Sequence, residues 1–195
     1  MSNKTKIHLP VSYYKNEVRK NVKIEPNIPV IFLAGPIRNA PKWQEEAIII
    51  FVRENRELFI ASPRREISPG LIEFTEKDDP TNYKTFERQR AWEQYYLYSA
   101  SEKGCIIFYL PKEAEKEDPN KVYGHITMME LGEWIARCKT NPEINLVIGT
   151  DGSFPEWSTI EYEIKTEIPG IPICNSLEET IETAIKVCLT KNLIQ

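Results

Sequence analysis

Cys105-Ile106-Ile107-Phe108-Tyr109-Leu110 is followed by a polar segment that opens with Pro111. Then comes Gly124-His125-Ile126-Thr127-Met128-Met129-Glu130-Leu131-Gly132-Glu133-Trp134. The first run has the length and composition of a strand covered on both faces. The last carries apolar residues at helical spacing, so it opens a helix. This order puts Glu130 near the start of a helix, beyond the carboxyl end of a strand, where open α/β sheets bind ligands. A helix N-terminus stabilises negative charge, so Glu130 is expected to stay ionised there. A partly enclosed carboxylate at that place is either a helix cap or a nucleophile.

The same alternation extends in both directions. Val30–Ala34 is a short apolar strand that stops at Gly35-Pro36. Pro41 and Trp43 open a helix to about Asn55, with Ala47, Ile48, Phe51 and Val52 on its inner face. A second strand over 58–61 ends at Ser62-Pro63, and a long loop over 66–81 has the length of a lid or a flexible segment. A helix over 83–101 precedes the Cys105–Leu110 strand, and the helix opened above covers 126–138. Beyond it the pattern predicts strands over 144–149 and 171–174 around a helix over 154–166. A last helix starts from the capping box of Ser176 and Glu179 and runs to about Leu189. Strands that alternate singly with helices argue a parallel sheet of five strands with helices on both faces. Right-handed crossovers gather the carboxyl ends of the strands on one edge. Residues 1–29, with two lysine-rich patches and the alternating Val22-Lys23-Ile24, read as a loose arm holding at most one short strand. Residues 30–195 read as one domain.

Composition narrows the function classes. The chain has 195 residues, 41% apolar and 28% charged, with a net charge of −4 and a pI near 5.4. A general duplex-binding surface needs a basic stripe that this balance does not supply. Cys105, Cys138, Cys174 and Cys188 form no CxxC pair, and only His8 and His125 could join them, so no metal site is expected. Three of the four cysteines stand in apolar surroundings and read as core residues of a protein in a reducing cytoplasm. No apolar run approaches the length of a membrane span, and the N-terminus lacks the pattern of a secretory signal. The expected setting is cytoplasmic, away from membranes.

Four pieces converge on the carboxyl edge. Gly35-Pro36-Ile37-Arg38-Asn39 follows the first strand, where a glycine permits close backbone approach to a ligand. It matches neither GxGxxG nor the P-loop, so no nucleotide cofactor is indicated. Arg64 and Arg65 could grip an anion, but pairing with the acidic residues of the 66–81 loop is the plainer reading. In the long helix, Glu93 interrupts a partly apolar stripe and needs a partner or a function. Arg90 would serve as the partner. Facing the same cleft as Glu130, Glu93 would instead supply general acid/base chemistry. Thr127 lies three residues before Glu130 and can share its side of the helix. Glu133 reads as a solvated helix charge and His125 as a loop histidine satisfied by backbone.

Five segments, in order, resemble the nucleoside 2-deoxyribosyltransferase-like family. They are Ile31 to Arg38, Trp43-Gln44-Glu45-Glu46-Ala47, Gln89-Arg90-Ala91-Trp92-Glu93, Ile106 to Pro111, and Thr127 to Trp134. The resemblance implies a flavodoxin-like (Rossmann-like) three-layer sandwich and a glutamate nucleophile that attacks the anomeric carbon of a 2-deoxyribosyl unit. Glu130 matches that nucleophile, and Glu93 matches an acidic position near the leaving base. Gly35, Pro36, Ile37 and Arg38, with Trp43 and Thr127, match the surroundings of the sugar and base. Arg38 also matches an arginine that some nucleotide-hydrolysing relatives use near a 5′-phosphate. The implied activity is transfer of the sugar between bases, without a cofactor, in a homodimer or larger homo-oligomer. The alternatives are an N-glycoside hydrolase of deoxynucleotides or nucleotides, and a nucleotide-binding module without turnover. The chain departs from the phosphate-using relatives in carrying Thr127-Met128-Met129 where they have serine and small residues. Many transferases have aspartate in place of Glu93.

Overall fold

The computed structural model describes residues 5–8, 28–64, 84–114 and 122–192. The 66–81 loop, Arg65, the Val22-Lys23-Ile24 alternation and most of the segment between Glu113 and Tyr123 lie outside them. The elements run β1 (Lys6–His8), β2 (Val30–Ala34), α1 (Trp43–Glu54), β3 (Phe59–Ala61), α2 (Lys84–Lys103), β4 (Cys105–Leu110), α3 (His125–Thr140), β5 (Leu146–Thr150), α4 (Trp157–Glu167), β6 (Ile173–Cys174) and α5 (Leu177–Asn192). All strand pairs are parallel, in the order β1-β3-β2-β4-β5-β6. This is the α/β sandwich read from the alternation, with six strands where five were expected.

The added strand comes from the N-terminal arm. Lys6, Ile7 and His8 pair with Phe59, Ile60 and Ala61 at the sheet's edge. The Thr5 hydroxyl donates to the carbonyls of Phe51 (3.1 Å) and Arg56 (2.9 Å), which fastens the strand to the end of α1. A strand with one buried apolar residue, Ile7, leaves no periodicity to read.

Alternation along the strands divides the core into two layers. Ile31, Leu33, Ile107, Tyr109 and Val147 face the layer of α1 and α5. Val30, Phe32, Ile106, Phe108, Leu110 and Ile148 face the layer of α2, α3 and α4. The chain builds β3 on one side of β2 and β4 on the other, so the strand order reverses between β2 and β4. That reversal opens the crevice where ligands bind in open α/β sheets. All four described cysteines are buried free thiols. No helix among the described residues is long and apolar enough to cross a membrane.

Two glycines of opposite surroundings test the packing. A Cβ at Gly104 would stand 1.9 Å from the Val30 carbonyl oxygen, whereas one at Gly132, inside α3, meets nothing within 4 Å. Gly104→Ala should cost about 1–3 kcal/mol or more through overpacking. Gly132→Ala should add roughly 0.5–1 kcal/mol through helix propensity. Urea midpoints check both; shifts of the same sign and size would contradict the close approach at Gly104.

Candidate active site

Glu130 owes its position to the helix that carries it. Gly124 turns the chain into α3 with φ 69°, and its carbonyl accepts the Met128 N–H at 2.9 Å. Thr127, Leu131, Trp134 and Cys138 form the buried face. Glu130 falls beside that face and meets α2. It lies five residues past His125, the first residue of α3, and no acidic residue occupies the first turn. The field of the helix N-terminus fades over that distance. The neighbours of Glu130 therefore set its electrostatics more than the helix end does. Burial raises its pKa above the ordinary carboxylate value, Arg90 opposes the rise by hydrogen bond and charge, and Glu93 and Glu133 add to it.

A hydrogen-bonded chain leads to it from the sheet. Gln89 Nε2 donates to the Pro63 carbonyl (3.4 Å) beyond β3 and to Glu93 Oε1 (2.8 Å). Arg90 Nη1 donates to Glu93 Oε2 (2.8 Å) and to Glu130 Oε1. The Glu93, Glu130 and Arg90 side chains are 13%, 20% and 35% exposed. Two oxygens bonded to one nitrogen lie no more than two hydrogen-bond lengths apart, roughly 6 Å. Paired carboxylates about 5–5.5 Å apart suit covalent, retaining glycoside chemistry, whereas water-mediated inversion needs about 6.5–9.5 Å. Glu93 accepts one hydrogen bond on each oxygen, which leaves each a second lone pair. Glu130 Oε2 accepts from no described residue and is not sealed from solvent.

Arg137 braces the same two helices from the other side. Its Nη2 donates to the Tyr98 hydroxyl (2.7 Å) and to Glu133 Oε1 (2.7 Å). Its guanidinium lies over the Tyr98 and Trp134 rings at 4.9 and 5.3 Å. Glu133, read from the sequence as a solvated helix charge, is exposed and pairs with Arg137. His125 Nδ1 meets the Val122 carbonyl at 2.9 Å, the backbone-satisfied state expected of it.

The residues of the first strand's loop sit differently. A Cβ at Gly35 (φ 146°) would stand 2.4 Å from the Tyr109 carbonyl oxygen and 2.7 Å from Trp43 Cζ2. The glycine makes room for β4 and an indole. Trp43 is 1% exposed in the α1/α5 layer, the sheet face opposite α2 and α3. Its Nε1 donates to the Pro36 carbonyl at 2.9 Å, and its ring packs on Tyr109 at 5.4 Å. Trp43 therefore supports the loop from beneath and offers no binding surface. Ile37 is half-buried and Arg38 is exposed, with no ion pair among the described residues. Thr127 is buried one turn before Glu130. Asn39 ties this loop across the strand-order reversal: its carbonyl accepts the Ala114 N–H at 2.7 Å, and its Nδ2 donates to Glu113 Oε1 at 3.4 Å. Arg64 meets Glu45 at 3.6 Å.

The structure thus brings Glu93 and Glu130 together and puts Trp43 in the other layer. Arg90 and Gln89 were undervalued in the sequence. Their spacing, three and four residues before Glu93, is the signal for helix-side pairing, but nothing local announces the second bond to Glu130. No family model matches the chain, and no curated protein matches it.

The raised Glu130 pKa has a stability signature. The native state holds that proton more tightly than the unfolded chain. Glu130's contribution is fully present below the unfolded value, about 4.3, and is lost as pH rises through the folded value. Glu130→Gln removes this titration. Melts from about pH 4 upward should show the variant gaining on the wild type and then a constant difference. A variant that loses ground to the wild type as pH rises would mean that Arg90 outweighs burial.

Proposed function

We propose that the protein is a nucleoside 2-deoxyribosyltransferase, acting through a covalent Glu130–sugar intermediate. The observation that supports this is the pair of part-buried carboxylates held on one arginine nitrogen. A carboxylate on one face of the sugar meets the oxocarbenium-like carbon, the C1′–N bond breaks, and the base departs with the electron pair. A second base then attacks C1′ and releases Glu130. Glu93 anchors the pair through its bonds to Gln89 and Arg90. In this reading the loop of Gly35, Pro36, Ile37 and Arg38, supported by Trp43, borders the sugar and base, and Thr127 supports the nucleophile's turn. Water in place of the second base would make the enzyme an N-glycoside hydrolase. The exposed Arg38, with no ion pair among the described residues, favours a phosphorylated substrate in that case.

The protein is incubated with deoxyinosine and adenine, and the bases and nucleosides are separated by chromatography. Deoxyadenosine is the expected product; free hypoxanthine alone means hydrolysis. No product from deoxyinosine or its 5′-monophosphate overturns both and leaves a binding module. Glu130→Ala should abolish turnover with the fold intact. Glu93→Gln should cost less, about 10²-fold at most; equal losses would make Glu93 indispensable to the chemistry.

We further propose a homodimer or larger assembly. Val122 and Met129 are each 72% exposed and Ile126 is 51% exposed around the start of α3, an apolar patch beside Glu130 of the kind that marks a contact. Sedimentation should give a multimer that Met129→Glu dissociates; a fully active monomer would contradict it.

A further inference from the structure

The hydrogen bonds around Glu130 are unequal. Oε1 is held by Arg90 Nη1, while Oε2 accepts from no described residue and reaches solvent. Arg90 is in turn held by Glu93, three residues along the same helix. Gln89 holds Glu93 from the other side and is itself anchored at Pro63. The guanidinium is therefore held from its own helix as well as by Glu130. We propose that Arg90 is a positioning residue that holds the non-attacking oxygen of Glu130, presents Oε2 as the attacking atom, and speeds the breakdown of the glycosyl-enzyme more than its formation. This rests on the covalent reading above.

The asymmetry follows from where charge goes. In the first step an Oε2 lone pair forms the bond to C1′, the C1′–N bond breaks, and the leaving base takes the electron pair and a proton from water. Glu130 passes from carboxylate to neutral ester, so the charge-assisted bond from Arg90 to Oε1 weakens along this step. In the second step the acceptor base, or water, bonds to C1′ and loses a proton to solvent. The C1′–Oε2 bond breaks and its electrons return to the carboxylate. Negative charge reappears on the group that Arg90 holds, so the guanidinium stabilises this transition state at a fixed, preorganised position. Arg90 thereby opposes accumulation of the ester.

The test is a single-turnover comparison of wild type, Arg90→Met and Arg90→Lys with deoxyinosine and with its 5′-monophosphate, without added acceptor base. Samples are quenched in acid and read by intact mass, and a digest locates the sugar on Glu130. Arg90→Met should carry an ester fraction at least tenfold above wild type, and added adenine should clear it slowly. Arg90→Lys should fall between the two, because one ammonium restores charge without the rigid fork. Turnover by wild type with no excess ester in Arg90→Met overturns the assignment to Arg90 and leaves the covalent reading standing. A wild type that forms no free base, no ester and, once adenine is added, no deoxyadenosine overturns both. A carbon-13 titration of the Glu130 carboxyl in the full chain gives a readout independent of turnover. It should move to higher pH in Arg90→Met, and an unmoved titration would mean that Arg90 does not hold Oε1 in solution.

Discussion

Every side chain of β4 is buried, and successive residues point to opposite faces, so one strand holds two helical layers at once. Cys105, Ile107 and Tyr109 serve α1 and α5, while Ile106, Phe108 and Leu110 serve α2, α3 and α4. β4 also supplies the central pairings, to β2 on one side and β5 on the other. The candidate site inherits its coordinates from this strand. α2 packs against the sheet beside it, α3 leaves the loop that follows it, and the strand-order reversal lies along its edge.

Two arginines tie α2 to α3 in opposite directions. Arg90 reaches from α2 to Glu130 on α3, and Arg137 reaches from α3 to Tyr98 on α2. The outer brace is exposed and contributes little net energy. The inner one sits among part-buried carboxylates, where a missing partner costs far more. Arg90, Glu93 and Glu130 together carry one positive and two negative formal charges. The position of the Arg90 guanidinium between the carboxylates is thus set by electrostatics as much as by helix geometry.

Most of the fold was legible because its central strands are wholly buried and its last helix opens on a capping box. The bounds of β4 follow directly from its apolar run, and Ser176 Oγ accepts the Glu179 N–H as the capping box requires. β1 was hidden by its brevity. The site was half legible. Glu93 stood out as a charge in an apolar stripe, and Glu130 by its place after β4. The start of α3 at His125 puts Glu130 in the second turn, a difference of a residue or two that changes the source of its electrostatics. Trp43 illustrates what local pattern cannot supply: which face of the sheet a residue joins depends on the parity of the strands it packs against. The bond from Arg90 to Glu130 spans 40 residues, beyond the reach of any periodicity.

Among the described residues the sheet ends in two short strands, Lys6–His8 at one edge and Ile173–Cys174 at the other. Such stubs offer few unpaired backbone groups in register, so they make poor templates for strand addition. A chain built this way is guarded against edge-to-edge aggregation without a proline or a bulge in either terminal strand.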